Sequence, residues 1–181
     1  MEKYNVAILG ASGVVGSRIR SILEERNFPV KNIKFLSSAK SAGKEVEFMG
    51  KTYKFEEEKP ESFDGVDIVL ASAGASTSKH FVDVIVKRGA VLVDNTSAFR
   101  MDKDVPLVIA GVNDEDLKQH HGVIANPNCS TSQLMLVLKP LHDYAKIKRL
   151  IVSTYQSVSG AGKAAIDELT EDTKARLENK S

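Results

Sequence analysis

The sequence predicts an α/β fold with a doubly wound, mostly parallel sheet. Two observations predict it: short apolar runs typical of strands alternate with segments of helical periodicity, and a glycine-rich turn joins the first strand to the first helix. Hydrophobic residues make up 42% of the 181 residues, which is enough for a buried core. We expect one complete domain, residues 1–128, and the incomplete first part of a second, α+β domain, residues 129–181.

The first half of the chain repeats a strand, helix, strand order. The first helix provides the crossover that makes the strands on either side of it parallel. A segment that alternates in polarity about Met49-Gly50-Lys51 predicts a hairpin at the edge of the sheet. The predicted elements are strands at 6–9 and 33–36, a helix from 15 to 23, the hairpin at 45–55, strands at 68–71 and 91–94, and a helix at 76–88.

The second half continues this order less regularly. We predict strands at 107–109, 123–125 and 148–155, a short helix after Asn113 and a helix over 130–145. Pro140 must end or bend the last of these helices, because it lacks a backbone N–H. A polar amphipathic segment follows Gly160-Ala161-Gly162.

Composition excludes several kinds of partner. Lysine and arginine number 25 against 24 acidic residues, for a formal net charge of +1, so neither nucleic acid nor a membrane surface is an expected partner. No apolar run reaches the roughly 18 residues that a bilayer crossing requires. A single cysteine and the lack of secretion-signal features at the start of the chain favour the cytoplasm. A small molecule is the expected ligand, and no residue is assigned to a metal.

A glycine-rich loop follows the first predicted strand. Gly10, Ser12, Gly13, Val14 and Val15 belong to a turn that opens a helix, where backbone amides and the helix dipole can face a pyrophosphate. This arrangement predicts a Rossmann-type dinucleotide site. The glycines are three apart and do not follow the usual G-x-G-x-x-G order, and a tight turn without a ligand is the alternative.

The loop after the second strand indicates which dinucleotide binds. An acidic residue there would bind the ribose 2′-hydroxyl of NAD, but the sequence reads Ser37-Ser38-Ala39-Lys40-Ser41. Hydroxyl groups and the cation of Lys40 suit a 2′-phosphate, which predicts NADP; a solvated polar loop is the alternative. Ser72 and Gly74 follow another strand and are further candidates for cofactor contacts.

Cys129 lies between a predicted strand and a predicted helix. The positive end of that helix favours the thiolate, so the position predicts a reactive thiol, with a buried structural cysteine as the alternative.

Several long motifs, taken together, resemble bacterial aspartate-semialdehyde dehydrogenase, and the resemblance runs along the whole chain. They are Gly10-Ala11-Ser12-Gly13, Ser41-Ala42-Gly43, the segment from Val93 to Met101, Asn126-Pro127-Asn128-Cys129-Ser130-Thr131, and the segment from Ser153 to Gly162.

The resemblance implies a reversible, NADPH-dependent conversion of β-aspartyl phosphate to aspartate semialdehyde and phosphate. That reaction serves lysine, methionine, threonine and diaminopimelate biosynthesis. It further implies that Cys129 is the nucleophile, that Arg100 binds phosphate and that Gln156 contacts substrate. Asn128 is placed to orient the substrate or the developing oxyanion. Ser159 and Gly160 match the segment near the nicotinamide, and Lys40 stands where many members of the family have arginine.

The resemblance also implies parts that these residues do not supply. The general acid/base histidine of the family and an arginine for the substrate carboxylate are expected beyond residue 181, within a homodimer or homotetramer built through a catalytic and dimerisation domain. The four histidines present are expected at the surface and not as the base: His80, His120, His121 and His142. We therefore expect the fragment alone to be inactive. Two alternatives remain, an N-acetylglutamyl-phosphate reductase and a non-catalytic dinucleotide-binding module.

Overall fold

A computed structural model describes residues 2–178. Seven strands and four α-helices form in it, with 3₁₀ turns at Pro60–Phe63, Asp114–Gln119 and Val158–Ala161. The strands are β1 (Tyr4–Leu9), β2 (Val30–Ser37), β3 (Glu45–Phe48), β4 (Lys51–Glu57), β5 (Ile68–Ala71), β6 (Val91–Asp94) and β7 (Val123–Ala125). The helices are α1 (Val14–Glu25), α2 (Ala75–Lys87), α3 (Cys129–Ala145) and α4 (Lys163–Leu177).

The strands lie in the order β3-β4-β2-β1-β5-β6-β7, and only β3 runs antiparallel to its neighbour. The chain builds outward from β1 on one side and then returns to the other side with β5. This reversal beside β1 creates a crevice at the carboxyl ends of the strands, where dinucleotides bind in folds of this class. The predicted doubly wound, mostly parallel α/β sheet is confirmed.

The core lies on both faces of this sheet. Residues of β1 are buried on both faces, so Ala7 and Leu9 pack with α2 while Val6 and Ile8 pack with α1. An aromatic group around Phe35, which meets Phe48 and Phe55 edge to face, joins the hairpin to the α1 side. The two-residue turn of that hairpin, Met49-Gly50, has positive φ at both positions, as the right-handed twist of the strands requires.

One predicted strand does not form. Between residues 107 and 109 the only pairing is an isolated bridge from Leu107 to Ala125, with hydrogen bonds from Val108 N to Ala125 O and from Ala125 N to Pro106 O. The side chain of Asn113 explains the difference, because its Oδ1 accepts from Ile109 N at 2.8 Å and its Nδ2 donates to Leu107 O at 3.0 Å. The side-chain amide thus takes the place of a neighbouring strand.

The strand predicted at 148–155 is also wrong. No strand forms there, and Ile151 is 77% exposed. Apolar alternation produces a strand only where another strand completes its hydrogen bonds, and residues 149–178 contain none. Farther upstream, α3 continues past Pro140 to Ala145, so this proline does not end the helix.

Contacts divide the chain into two compact units between Lys148 and Arg149. The sheet, α1, α2 and α3 belong to the first unit, and α4 belongs to the second. The domain boundary predicted after residue 128 stays a prediction.

Candidate active site

The glycine loop is held tightly against its neighbours. The amides of Gly10 and Ala11 both donate to Leu36 O at 2.9 Å, and Gly10 has a φ of +86°. A Cβ at Gly10 would lie 2.7 Å from the backbone nitrogen of Ala73, and one at Gly16 would overlap Gly10 O. Glycine at these two positions therefore lets β1, α1 and the loop after β5 approach each other closely.

Gly13 is the N-cap of α1, and no side chain among residues 2–178 caps this helix end. The first-turn amides of α1 are therefore left without side-chain partners at the positive end of the helix dipole. Val14 and Val15, in this first turn, are half exposed. A helix end of this kind suits a phosphate group.

A cavity of about 330 Å³ lies beside the glycine loop. It brings together the predicted residues Gly10, Ser12, Gly13 and Ser72. Its other lining residues are Ser37, Ser38, Glu58, Ala73 and Thr77. The loop after β2, the loop after β5 and the glycine loop therefore meet at one site, as the order of parallel strands requires.

The other predicted cofactor residues lie outside the lining of this cavity: Val14, Val15, Lys40, Ser41, Gly74, Ser159 and Gly160. Lys40 and Ser41 belong to a turn in which Ser41 N donates to Ser38 O at 2.9 Å, and Lys40 is exposed. Gly74 is the N-cap of α2, with a φ of +96°. Glu58 and Thr77 line the cavity and were not predicted. The parallel pairing of β4 with β2 would have indicated Glu58, because it places the end of β4 beside the end of β2.

A second cavity, of about 300 Å³, lies beside α1 over β5 and β6. Its apolar wall includes Val15, Ile19, Leu70 and Val93. Asn95 and Asn126 contribute polar groups at the ends of β6 and β7.

Arg100 is held close to the polypeptide segment that carries Cys129. Its Nε donates to Asn126 O at 2.8 Å and its guanidinium also donates to Asn95 O at 3.3 Å. Asn126 lies three residues before Cys129, so these hydrogen bonds tie the predicted phosphate-binding group to the end of β7. The carbonyl partners carry no full charge, so the guanidinium keeps its positive charge unneutralised by them.

A buried carboxylate anchors the loop before Arg100. Asp94, at the end of β6, is 0% exposed and accepts hydrogen bonds from Ser78 Oγ at 2.6 Å and Thr96 Oγ1 at 2.7 Å. Thr96 Oγ1 in turn accepts from Ala98 N at 3.1 Å. Hydroxyl groups thus compensate a charge that would be costly to bury alone. Sequence reasoning had not singled out this network.

Cys129 is exposed and is the first residue of α3. Its Sγ lies 3.9 Å from Asn128 Oδ1. Asn128 is the N-cap, and its Oδ1 also accepts from Ser130 N at 3.0 Å and Ser130 Oγ at 2.6 Å. The cap therefore occupies the carbonyl oxygen of Asn128, and its Nδ2 is the atom left to contact a substrate. The thiol is open to solvent at the helix N-terminus, where the sequence predicted it.

Gln156, Ser159 and Gly160 lie in the second unit. A Cβ at Gly160 would lie 2.6 Å from Gln156 Nε2, so the absence of a side chain there makes room for the glutamine. Ser157 Oγ and Ser159 Oγ are 3.0 Å apart. The predicted roles of these three residues stay predictions.

The four histidines do not form part of either cavity lining. His80, His121 and His142 are exposed. His120 is half-buried, and its Nδ1 accepts from Gly122 N at 3.1 Å.

None of the helices in the described part of the chain has the length and hydrophobicity needed to span a bilayer.

The family model for the NAD-binding domain of semialdehyde dehydrogenases matches residues 5–120, which is more than half of the chain. The chain belongs to the semialdehyde dehydrogenase family. The model of the dimerisation domain of semialdehyde dehydrogenases matches residues 138–181. The resemblance noted in the sequence is thus confirmed at the level of the family.

Individual relatives agree with this assignment. An aspartate-semialdehyde dehydrogenase of Aquifex aeolicus is 53% identical over 98% of this chain and 53% of its own length. The crystal structure of aspartate semialdehyde dehydrogenase II from Vibrio cholerae, complexed with ASA, has a TM-score of 0.95 at 44% identity, over 99% of this chain and 54% of that one. The Candida albicans enzyme with NADP has a TM-score of 0.58 at 26% identity, over 80% of this chain and 48% of that one. The chain spans about half the length of the relatives it matches.

Proposed function

We propose that this chain is the cofactor-binding and nucleophile-bearing part of an aspartate-semialdehyde dehydrogenase. The observation that carries the proposal is the position of Cys129, exposed at the first turn of α3 and joined through Asn126 to the cation of Arg100. The proposed reaction is the reversible conversion of β-aspartyl phosphate to aspartate semialdehyde and phosphate, with NADPH as reductant. The other half of the catalytic machinery, including the acid/base, belongs to the remainder of a protein of the length of the relatives.

The first step is acyl transfer to sulfur. The Cys129 thiolate attacks the acyl carbon, a C–S bond forms, and the C–O bond to phosphate breaks with the electron pair leaving on phosphate. Arg100 is suited to the leaving group, because a guanidinium offers several donors in one plane to phosphate oxygens and keeps its charge at all working pH values. Asn128 adjoins Cys129, and because its Oδ1 is the atom near the sulfur and caps α3, its Nδ2 is the group proposed to donate to the carbonyl oxygen as it becomes negative.

The second step is reduction of the thioester, for which bound NADPH supplies the hydride. The C–S bond then breaks, which releases the aldehyde and returns the thiolate of Cys129. Gln156, Ser159 and Gly160 are proposed to contact the substrate and the nicotinamide end of the site.

The residues around the first cavity fit a dinucleotide. The uncapped first turn of α1 and the close approach at Gly10 leave backbone donors for a pyrophosphate. Ser12, Gly13, Val14, Val15, Ser72 and Gly74 are the proposed neighbours of that group. Lys40 and Ser41, near the end of β2, are proposed to favour the 2′-phosphate of NADP.

The proposal also covers the domains of the protein and its assembly. We propose that residues 1–128 form the NADP-binding domain, that 129–181 begin the catalytic and dimerisation domain, and that the longer protein is a cytoplasmic homodimer or homotetramer. The match of residues 138–181 to a dimerisation domain supports this arrangement.

The test is turnover by the longer protein and by its Cys129→Ala variant. NADPH formation from aspartate semialdehyde, phosphate and NADP is followed at fixed ionic strength, with N-acetylglutamate semialdehyde as the alternative substrate. We expect activity with the aspartyl compound and a fall in kcat of about 10⁴ or more in the variant. Equal activity with the two semialdehydes, or an active Cys129→Ala protein, would contradict the proposal. The 181-residue chain is the further control and should be inactive.

A further inference from the structure

Glu58 brings a carboxylate into the cavity beside the glycine loop. It follows the last residue of β4, and its backbone N–H donates to Ser37 O at 3.1 Å, which fixes it next to the end of β2. The register of the parallel pair, in which Glu57 lies opposite Ser37, leads the chain directly to this point. Glu58 lines the cavity together with Ser12, Ser37 and Ser38.

One oxygen of this carboxylate lacks a partner. Oε2 of Glu58 is buried and accepts no hydrogen bond from any residue between 2 and 178. The hydroxyl of Ser37, the nearest lining residue along β2, donates to Ser38 O at 3.4 Å. A buried acceptor without a donor is costly, so a hydrogen-bond donor on a ligand in this cavity would gain from pairing with Oε2.

The charge of the cavity lining is also unbalanced. The lining contains Glu58 and neither lysine nor arginine. Lys59 is the next residue, but its ammonium lies 2.9 Å from the carboxylate of Glu57. Lys40, the cation expected to bind a 2′-phosphate, is exposed and outside the lining. The negative charge of Glu58 at the end of β2 therefore favours a neutral ribose hydroxyl in this cavity and disfavours a 2′-phosphate. The sequence of the loop after β2 alone did not indicate this preference.

We infer that Glu58 contacts the adenosine ribose of the dinucleotide and limits the preference of this protein for NADP over NAD. Its carboxylate accepts a hydrogen bond from a ribose hydroxyl and repels a 2′-phosphate. In dinucleotide folds the acid that performs this task usually stands at the end of the second strand. Here the neighbouring parallel strand, β4, provides it. The inference rests on the proposed dinucleotide site but not on the identity of the aldehyde substrate.

The test is a binding measurement, which does not require turnover. NADPH and NADH are titrated separately into the longer protein, and the fluorescence of the bound nicotinamide gives Kd for each at constant ionic strength. The quantity compared is the ratio of the two Kd values in wild type, Glu58→Ala, Glu58→Gln and Glu56→Ala. Glu56 is the matched control, because it is an exposed glutamate of β4 two residues before Glu58 and its removal changes the net charge equally.

Glu58→Ala is expected to shift the ratio toward NADPH by about tenfold, from tighter NADPH and weaker NADH binding, because repulsion and the hydrogen bond are both lost. Glu58→Gln removes the charge and keeps an acceptor, so it should tighten NADPH binding and leave NADH binding nearly unchanged. Glu56→Ala should change the ratio less than twofold.

A ratio unaffected by both Glu58 substitutions, or one shifted equally by Glu56→Ala, would overturn the role of Glu58 and leave the proposed function intact. Failure of the wild-type protein to bind either nucleotide would instead contradict the proposed dinucleotide site itself. Turnover of aspartate semialdehyde is measured separately, so its absence alongside the expected ratios would reject only the proposed substrate.

Discussion

The parallel sheet and the segment 149–178 both contain motifs of the family but differ in how they are stabilised. The sheet buries an apolar cluster on each face, and Phe35, Leu92 and Ile8 are no more than 1% exposed. In the segment 149–178 no residue is buried, and the apolar side chains of α4 include Leu169 at 53% exposure. The first region has a core of its own, and the second presents a helix without one.

This difference shows that a sequence pattern and an independent core are separate properties. Helical periodicity and i,i+4 pairs such as Lys163 with Asp167 suffice to define α4, but a helix of this length gains little stability in water without packing. Cys129, the proposed nucleophile, lies at the start of α3 and belongs to the unit that includes the sheet. Gln156, Ser159 and Gly160 belong to the other unit.

The largest expected effect is on the core of the sheet. Phe35→Ala should lower the free energy of unfolding by about 3–5 kcal/mol, since it removes a buried ring that contacts three other aromatic rings. Leu169→Ala in α4 should change it by less than about 0.5 kcal/mol. Urea unfolding of the 181-residue chain, followed by circular dichroism, measures both, and comparable losses would show that α4 belongs to the cooperative core.

An intermediate effect on the free energy of unfolding is expected from a buried carboxylate, and a smaller one from an exposed carboxylate. Asp94→Ala leaves the hydroxyls of Ser78 and Thr96 without their acceptor and should cost about 2–3 kcal/mol. Asp167→Ala breaks only an exposed pair with Lys163 and should cost less than about 0.5 kcal/mol. The same unfolding experiment compares them. Equal effects would mean that the Asp94 network contributes nothing beyond a surface ion pair.

The smallest expected effect is on the pKa of a carboxyl group in the last turn of α3, with an ion pair at the start of α4 as the control. The hydrogen bond from Lys139 holds the pKa of Asp143 below its ordinary value; desolvation opposes this lowering, and the attraction of nearby cations adds to it. A lowered carboxyl pKa stabilises the folded state above the unfolded pKa, and this stabilisation is lost as the pH falls below about 4. NMR titration should show the Asp143 pKa rising toward the ordinary value in Lys139→Ala and not in the control Lys163→Ala. An unshifted carboxyl in the wild type would refute the expectation.

Much of the first region follows from short-range signals. The glycine loop, the strand at 68–71, the hairpin about Met49-Gly50 and the helix that begins beside Cys129 are visible in the order of residues, because each depends on periodicity or turn chemistry over a few positions. The same signals failed at 107–109, where the amide of Asn113 takes the backbone hydrogen bonds, and at 148–155, where no partner strand exists among the described residues.

The sequence by itself therefore determined the α/β class, the family and the position of Cys129 at the start of a helix. Only the tertiary structure placed Glu58 beside the end of β2 and Asp94 beneath the loop that carries Arg100. The physical reason is that the first placement depends on which strands are neighbours, and the second on the packing of α2 against β6. Parallel pairing sets Glu57 opposite Ser37, and the hydrogen bond from Ser78 to Asp94 joins a helix to a strand; these contacts act through space and not along the chain.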